Sequence, residues 1–310
     1  MTNLTLRQLR YVDALARHGH FGRAAEACAV SQPALSVQIR DLESALGMPL
    51  FERGPRQVRL TALGEEFAAR AREILRAVDE LDDLARASRD GLVGRLRIGV
   101  IPTIAPYLLP TLIPTLTRLH AGLDIHVRET VTPRLIEELG EGRLDCAIVA
   151  LPISEPGLAE VALLEEPLVL VRPASEAGAP VPGPDRLREM RVLLLEEGHC
   201  FRDQALSFCN LRPARPREDF DGSSLSTLVQ MVAAGIGVTF VPEMALPVET
   251  RSAAVSVDRL PAPEPTRTIG MVWRTTTPLA PQLTRIAEVV RAAAEGLRAE
   301  RPGATEAGAA

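Results

Sequence analysis

S-Q-P-A-L-S-V-Q-I-R-D-L-E, Ser31 to Glu43, decides how the amino-terminal end of this chain folds. Ser31 is a residue type that caps helices, Pro33 suits a first turn, and Leu35, Ile39, Leu42 and then Leu46 recur on one arc. Gly47 followed by Pro49 ends the segment. Two shorter periodic segments come before it. Leu6, Leu9, Val12 and Leu15 follow the capping residue Thr5, and Phe21, Ala24, Ala25 and Cys28 form the second. Three helices around one small core are expected, and the very short turn near Ala29 and Val30 has helix-turn-helix spacing. Arg56 to Leu60 then alternates as a short strand does, which adds a wing.

The opposite arc of the third helix carries Gln32, Pro33, Ser36, Val37 and Arg40. Gln bonds the major-groove edge of adenine and Ser bonds bases or phosphate, while Arg40 and Arg53 suit phosphate contacts. These residues are the candidate DNA-binding set; an ordinary solvated helix face is the other reading. The first 62 residues hold eight arginines against five acids, whereas the whole chain has a net charge of −5, so any contact with double-stranded DNA must be local. The chain contains no lysine.

Thr61 caps a long helix reaching about Ser88, on which Leu63, Phe67, Ala71, Ile74, Val78, Leu81 and Ala85 keep a four-three spacing. So narrow a stripe on a charged helix predicts pairing with a second copy, and a two-fold dimer predicts a roughly palindromic site. Packing on its own chain is the alternative. After Gly91 and Gly94 strands alternate with helices: Leu96 to Ile101, Tyr107 to His120, Ile125 to Glu129, Pro133 to Glu141 and Leu144 to Leu151. Leu168 to Val171, Val192 to Leu195, a helix from Phe201, Ser224 to Ala234 and Val238 to Val241 follow. This alternation predicts βαβ units in a parallel sheet.

Pro173 to Pro184 reads as a surface loop. Ile269 to Trp273 and a helix from Pro281 to Ala299 are expected to return to the first lobe, leaving two α/β lobes with a cleft between them. Tyr107 and Trp273 are placed at lobe surfaces. The expected domains are 1–60 for DNA binding, 61–90 as linker and dimerisation helix, and 91–300 as a regulatory domain. Within the last, lobe I covers 91–164 and 268–300, and lobe II covers 165–267. Residues 301–310, rich in Gly and Ala, read as a disordered tail.

With 310 residues and 46% hydrophobic content the chain has material for full cores. It shows neither a signal-peptide pattern nor an apolar run able to span a bilayer, so a cytoplasmic protein without membrane attachment is expected. Four cysteines, Cys28, Cys146, Cys200 and Cys209, make no disulfide scaffold. Cys28 and Cys146 read as packing residues.

Cys200 and Cys209 differ. They lie in G-H-C-F-R-D-Q-A-L-S-F-C, Gly198 to Cys209, with Cys200 between His199 and Arg202 at a helix mouth. A free thiol is only a few per cent ionised at pH 7; His199, Arg202 and the helix N-terminus are the groups able to favour the thiolate. Asp203 either satisfies first-turn NH groups or holds Arg202. A helix of nine residues keeps its ends about 13 Å apart, whereas a disulfide needs Cα atoms within about 7 Å. Joining the two sulfurs therefore requires unwinding, which couples oxidation to conformation. Two unrelated cysteines are the plainer reading. The spacing matches no common zinc pattern, and no metal or cofactor is expected.

S-Q-P-A-L-S-V-Q-I-R-D-L-E, L-F-E-R at Leu50 to Arg53 and L-T-A-L-G at Leu60 to Gly64 together resemble the LysR-type transcriptional regulators. The cysteine string, with G-V-I-P-T-I-A-P-Y-L-L-P at Gly99 to Pro110, is similar to the peroxide-sensing members of that family. The resemblance covers all but the tail. It implies a winged helix-turn-helix, α-rich N-terminal domain, a long linker helix, and a two-lobed α/β regulatory domain of the periplasmic-binding-protein-like, Rossmann-like kind, assembled as a dimer of dimers, a homotetramer. Cys200 then corresponds to the peroxidatic cysteine and Cys209 to the resolving one, with Thr103, Thr132 and His199 as the polar pocket and Arg267 as support for the thiolate. The Thr103 and Thr132 hydroxyls would orient peroxide, although Thr103 also suits a helix cap. Hydrogen peroxide as signal, a thiol reductant such as glutaredoxin or thioredoxin, and RNA polymerase are the further implied partners. A regulator answering a small organic effector between its lobes is the nearest alternative. A thiol peroxidase is another, although an enzyme needs no winged head.

Overall fold

The computed structural model describes residues 4–54, 58–87, 93–208 and 221–299. Contacts divide the chain into two units between Ala85 and Arg86, each with its own apolar core.

The first unit contains α1 (Leu6–His18), α2 (Phe21–Ala27), α3 (Gln32–Leu46), β1 (Phe51–Arg53) and β2 (Val58–Leu60), and α4 (Ala62–Ala87) begins in it. Helix α1 starts at a reciprocal cap: Thr5 Oγ1 accepts from Gln8 N at 3.3 Å while the Gln8 side chain accepts from Thr5 N at 3.1 Å. Ser31 Oγ accepts from Ala34 N at 3.3 Å, and Gly47 stops α3 at φ 72°, where only glycine is free of strain. Val12, Leu15, Ala24, Leu35, Ile39 and Leu50 are fully enclosed between the three helices and the hairpin. The wing is antiparallel, with Phe51 opposite Leu60; its strand begins at Val58, and residues 55–57 lie outside the described residues. Thr61 Oγ1 accepts from Gly64 N at 2.9 Å and donates to Pro49 O at 3.0 Å, fixing the start of α4 against the loop after α3. Along the expected seam Ala71 is buried, whereas Ile74 and Leu81 are 43% and 63% exposed.

The second unit runs β3 (Gly94–Val100), α5 (Ala105–Leu119), β4 (Leu123–Glu129), α6 (Thr132–Gly140), β5 (Cys146–Leu151) and β6 (Leu158–Pro173). It continues through α7 (Pro184–Glu189), β7 (Val192–Leu195), α8 (Cys200–Phe208), β8 (Asp221–Gly222), α9 (Leu225–Ala233) and β9 (Val238–Pro242). The last elements are α10 (Leu246–Glu249), β10 (Val255–Asp258), β11 (Thr266–Arg274) and α11 (Ala280–Ala299). The strand order is β4-β3-β5-β11-β6-β9-β7-β8, with β10 paired to β6.

The expected all-parallel sheet is therefore corrected to a mixed one. β3 is parallel to β4 and β5, and β7 is parallel to β8 and β9, but β6, β10 and β11 run antiparallel to their neighbours. Strand β6 carries the chain from one lobe to the other: its first part pairs with β11, and Leu168 to Pro173 pair with β9 and β10. L-A-E-V-A-L-L-E-E is rich in helix formers, and only pairing with β11 makes it a strand. Strand β11 also pairs with β5, and α11 packs on α5, so the end of the chain returns to the first lobe. Tyr107 and Trp273, placed at lobe surfaces by sequence, are buried at 6% and 4% exposure because both belong to the continuous core under the sheet.

Gly270 stands beside the irregularity between β11 and β6, where a Cβ would lie 2.2 Å from Leu151 Cδ1 and 2.9 Å from Val161 O. Gly270→Ala is expected to destabilise the second unit by about 1–3 kcal/mol. Urea unfolding followed through Trp273, the single tryptophan of the chain, measures this; an unchanged midpoint would contradict the packing described.

Candidate functional site

The turn from β7 into α8 builds the site. Gly198 takes φ 93°, which reverses the chain so that His199 precedes the helix and Cys200 is its first residue. Arg202 Nη1 donates to Leu195 O at 2.8 Å, tying the first turn back to the end of β7. Phe201 and Ala205 point into the core, which leaves Cys200 half-buried on the adjoining side. Its thiol is free and has no hydrogen-bond partner among the described residues.

Cys200 lines a tight crevice with His199, Phe201, Thr103, Val131 and Thr132. Thr103 follows β3 and Thr132 opens α6, so two strand ends of the first lobe deliver hydroxyls to a helix start of the second. Thr103 is not a helix cap: Ile104 occupies that position, without a side-chain bond, and Thr103 Oγ1 instead accepts from Arg267 Nη1 at 2.8 Å. Thr132 Oγ1 is buried and unpartnered among the described residues.

Arg267 lies behind the crevice and makes no bond to Cys200. Its Nε donates to Glu166 Oε2 at 2.8 Å, its Nη2 reaches the same oxygen at 2.7 Å and donates to Thr103 O at 3.1 Å, and its guanidinium covers the Phe201 ring at 5.6 Å. Glu166 Oε1 accepts from Met244 N at 2.7 Å. Arg267 and Glu166 stand directly opposite each other on β11 and β6.

Two expectations about charge are corrected. Burial lowers the His199 pKa against the opposing pull of Glu196, so the imidazole is neutral at pH 7 and supplies no cation. The Arg267 charge is matched by Glu166, so it acts on the crevice through the Thr103 hydroxyl. Asp203 is exposed in the first turn of α8 and bonds neither NH groups nor Arg202; its charge complements the helix dipole only. Cys209, and with it the separation of the two sulfurs, lies outside the described residues. Sequence reasoning missed Glu166, which no local motif marks.

A second void of about 390 Å³ adjoins the crevice and shares Pro102, Thr103, Val131 and His199 with it. At its far side Glu249 accepts from Tyr107 Oη and Ser226 Oγ, each at 2.6 Å. Burial and the neighbouring Glu249 push the Tyr107 hydroxyl far above its ordinary pKa, so it stays a donor.

In the first unit Gln32, Pro33 and Arg40 are exposed on α3, and Ser36 is half-buried between them. Val37, 43% exposed on the same face, is an apolar group of the kind that meets a thymine methyl. Arg53 is in β1 with its backbone opposite Val58. Cys146 is wholly buried, whereas Cys28 is half-buried, its Sγ 3.9 Å from Arg10 O. No helix among the described residues is long and apolar enough to cross a membrane.

Residues 6–65 match the family described as "Bacterial regulatory helix-turn-helix protein, lysR family", and residues 89–295 match "LysR substrate binding domain". The chain belongs to the LysR family. Among LysR-family relatives, the DNA-binding transcriptional dual regulator OxyR of Escherichia coli K12 is 42% identical over 296 residues, 94% of this chain and 97% of that protein. A probable hydrogen peroxide-inducible genes activator of Streptomyces viridosporus is 42% identical over 94% of this chain and 95% of its own. Full-length Pseudomonas aeruginosa OxyR with a cysteine-to-aspartate change superimposes with a TM-score of 0.73 at 37% identity, covering 94% of this chain and 96% of that one. A hydrogen-peroxide-bound cysteine-to-serine variant of Corynebacterium glutamicum OxyR gives 0.65 at 32% identity over 95% and 94%.

Arg267→Met is expected to cost about 3–5 kcal/mol, because Glu166 is left charged and buried, and adding Glu166→Gln should recover part of that loss in denaturant titrations. The lowered His199 pKa means that the unfolded chain takes up that proton first as pH falls. Its contribution to stability is therefore complete above a pH of about 6.5 and is lost below it. His199→Asn should flatten the stability profile of the second unit below about pH 6.5.

Proposed function

We propose that this LysR-family chain is a DNA-binding transcriptional regulator that senses hydrogen peroxide by oxidation of Cys200 and formation of a Cys200–Cys209 disulfide, and so controls oxidative-stress genes. The observation that carries this reading is that a free thiol and a buried threonine hydroxyl, each without a partner among the described residues, line one crevice. A buried polar atom without a partner costs free energy and is retained where a small ligand completes it. The similarity to OxyR proteins, one of them peroxide-bound, supports the same chemistry.

Thr103 and Thr132 hold the two peroxide oxygens. The Arg267 guanidinium donates to the Thr103 oxygen and thereby makes its O–H a stronger donor. The Cys200 thiolate attacks the nearer oxygen, the O–O bond breaks, and hydroxide leaves and is protonated to water while Cys200 becomes a sulfenic acid. The Cys209 thiol then displaces that hydroxyl as a second water. Helix α8 has only nine residues and buries Gln204 Oε1 without a partner among the described residues, so little of its stability comes from the helix itself.

Refolding of the second unit shifts the population of dimer arrangements, and with it the spacing of the DNA-binding heads on a palindromic operator. The exposed Ile74 and Leu81 on α4 supply the dimer seam, and two dimers form a homotetramer. Gln32, Pro33, Ser36, Arg40 and Arg53 face the DNA, and RNA polymerase is engaged in one redox state. A thiol reductant such as glutaredoxin or thioredoxin resets the cytoplasmic sensor, which signals rather than turns over peroxide and so is not an enzyme. The cleft holding Tyr107, Glu249 and Ser226 favours a second reading, a small organic effector bound there.

Mass spectrometry after brief stoichiometric peroxide should show a Cys200–Cys209 crosslink and an altered DNA footprint. Cys200→Ser should abolish both, and a full peroxide response in that variant would favour the effector reading. Thr132→Val should hold or raise stability and slow peroxide oxidation of Cys200 by roughly tenfold or more in stopped-flow measurements.

A further inference from the structure

The 390 Å³ void beside the Cys200 crevice has a wall of one sign. Glu129 and Glu196 line it exposed, and Glu249 lines it buried, while no arginine is among its described lining residues. Its other titratable groups are Tyr107 and His199, the first kept protonated by burial and the second neutral at pH 7. Of the neighbouring guanidinium groups, Arg202 is bound to Leu195 O, and Arg267 is neutralised by Glu166 and sits behind Thr103. The void and the crevice share Pro102, Thr103, Val131 and His199, so the void lies against the wall that carries Cys200.

We infer that this cleft is the approach to Cys200 and that its carboxylates select the oxidant by charge, admitting neutral hydrogen peroxide and turning away anionic peroxy compounds. The inference rests on Cys200 being the oxidised thiol. Like charges lining a low-dielectric cleft focus the field along it, so an anion is depleted there while an uncharged molecule is unaffected. Both oxidant classes perform the same balanced step at sulfur. Thiolate attack on the terminal oxygen of peroxymonosulfate, HO–O–SO₃⁻, breaks the O–O bond and yields the sulfenic acid and sulfate. Discrimination therefore falls on access, not on chemistry.

The test uses the full-length reduced protein, oxidised under stopped flow by hydrogen peroxide or by the peroxymonosulfate monoanion, at about 10 mM and about 0.5 M salt. In the Glu129→Gln/Glu196→Gln variant the peroxymonosulfate rate at low salt should rise about fivefold, as expected for removing two like charges from the wall of the path in water. The hydrogen peroxide rate should stay within about twofold, and the advantage of the variant over the parent should vanish at high salt. An unchanged peroxymonosulfate rate, or an equal change for both oxidants, would overturn the charge filter. Cys200→Ser separates the two ideas: if the oxidation signal survives that substitution, the assignment of Cys200 fails, and the filter with it.

Discussion

One buried ion pair organises the second unit. Glu166 and Arg267 are opposite one another on β6 and β11, the strands that run between the two lobes, and both are almost inaccessible to solvent. An ion pair so enclosed is tolerated only when its remaining donors and acceptors are satisfied. Here they are met by Thr103 after β3, by Met244 N beyond β9 and by the face of Phe201 at the start of α8. Pieces from across the chain are thus fixed to one charge pair, and Cys200 stands one residue from the last of them.

That arrangement separates stable scaffolding from a reactive element. Thr103 and Thr132 follow the ends of the paired strands β3 and β4, whereas α8 is short and carries an amide oxygen, Gln204 Oε1, without a partner among the described residues. Neutral His199 and charge-matched Arg267 mean that the crevice is organised by hydroxyl donors more than by bare cations.

The first unit was legible in detail because its signals are local. Thr5, Ser31 and Gly47 cap helices within a turn of themselves, and the periodicity of Leu35, Ile39 and Leu42 names the core face directly. The second unit was legible where strands alternate with helices, and not where a strand depends on a distant partner. Leu158 to Glu166 is rich in helix formers and becomes a strand only beside β11, so the antiparallel pairing that makes the sheet mixed was not legible along the chain.

The chain by itself determined the winged helix-turn-helix, the long linker helix, the two-lobed order of elements and the pairing of His199 with Cys200 at a helix mouth, because spacing and residue type carry that information along the backbone, while Thr103 and Thr132 entered through the family resemblance. Only the tertiary structure decided the charge state of the crevice. Whether His199 is cationic, which carboxylate answers Arg267 and which hydroxyl is left without a partner depend on burial and on groups about a hundred residues apart in sequence, such as Glu166 and Arg267. Electrostatics in a folded protein is set by what surrounds a group in space, and the order of residues along a chain does not contain those surroundings until the sheet has closed.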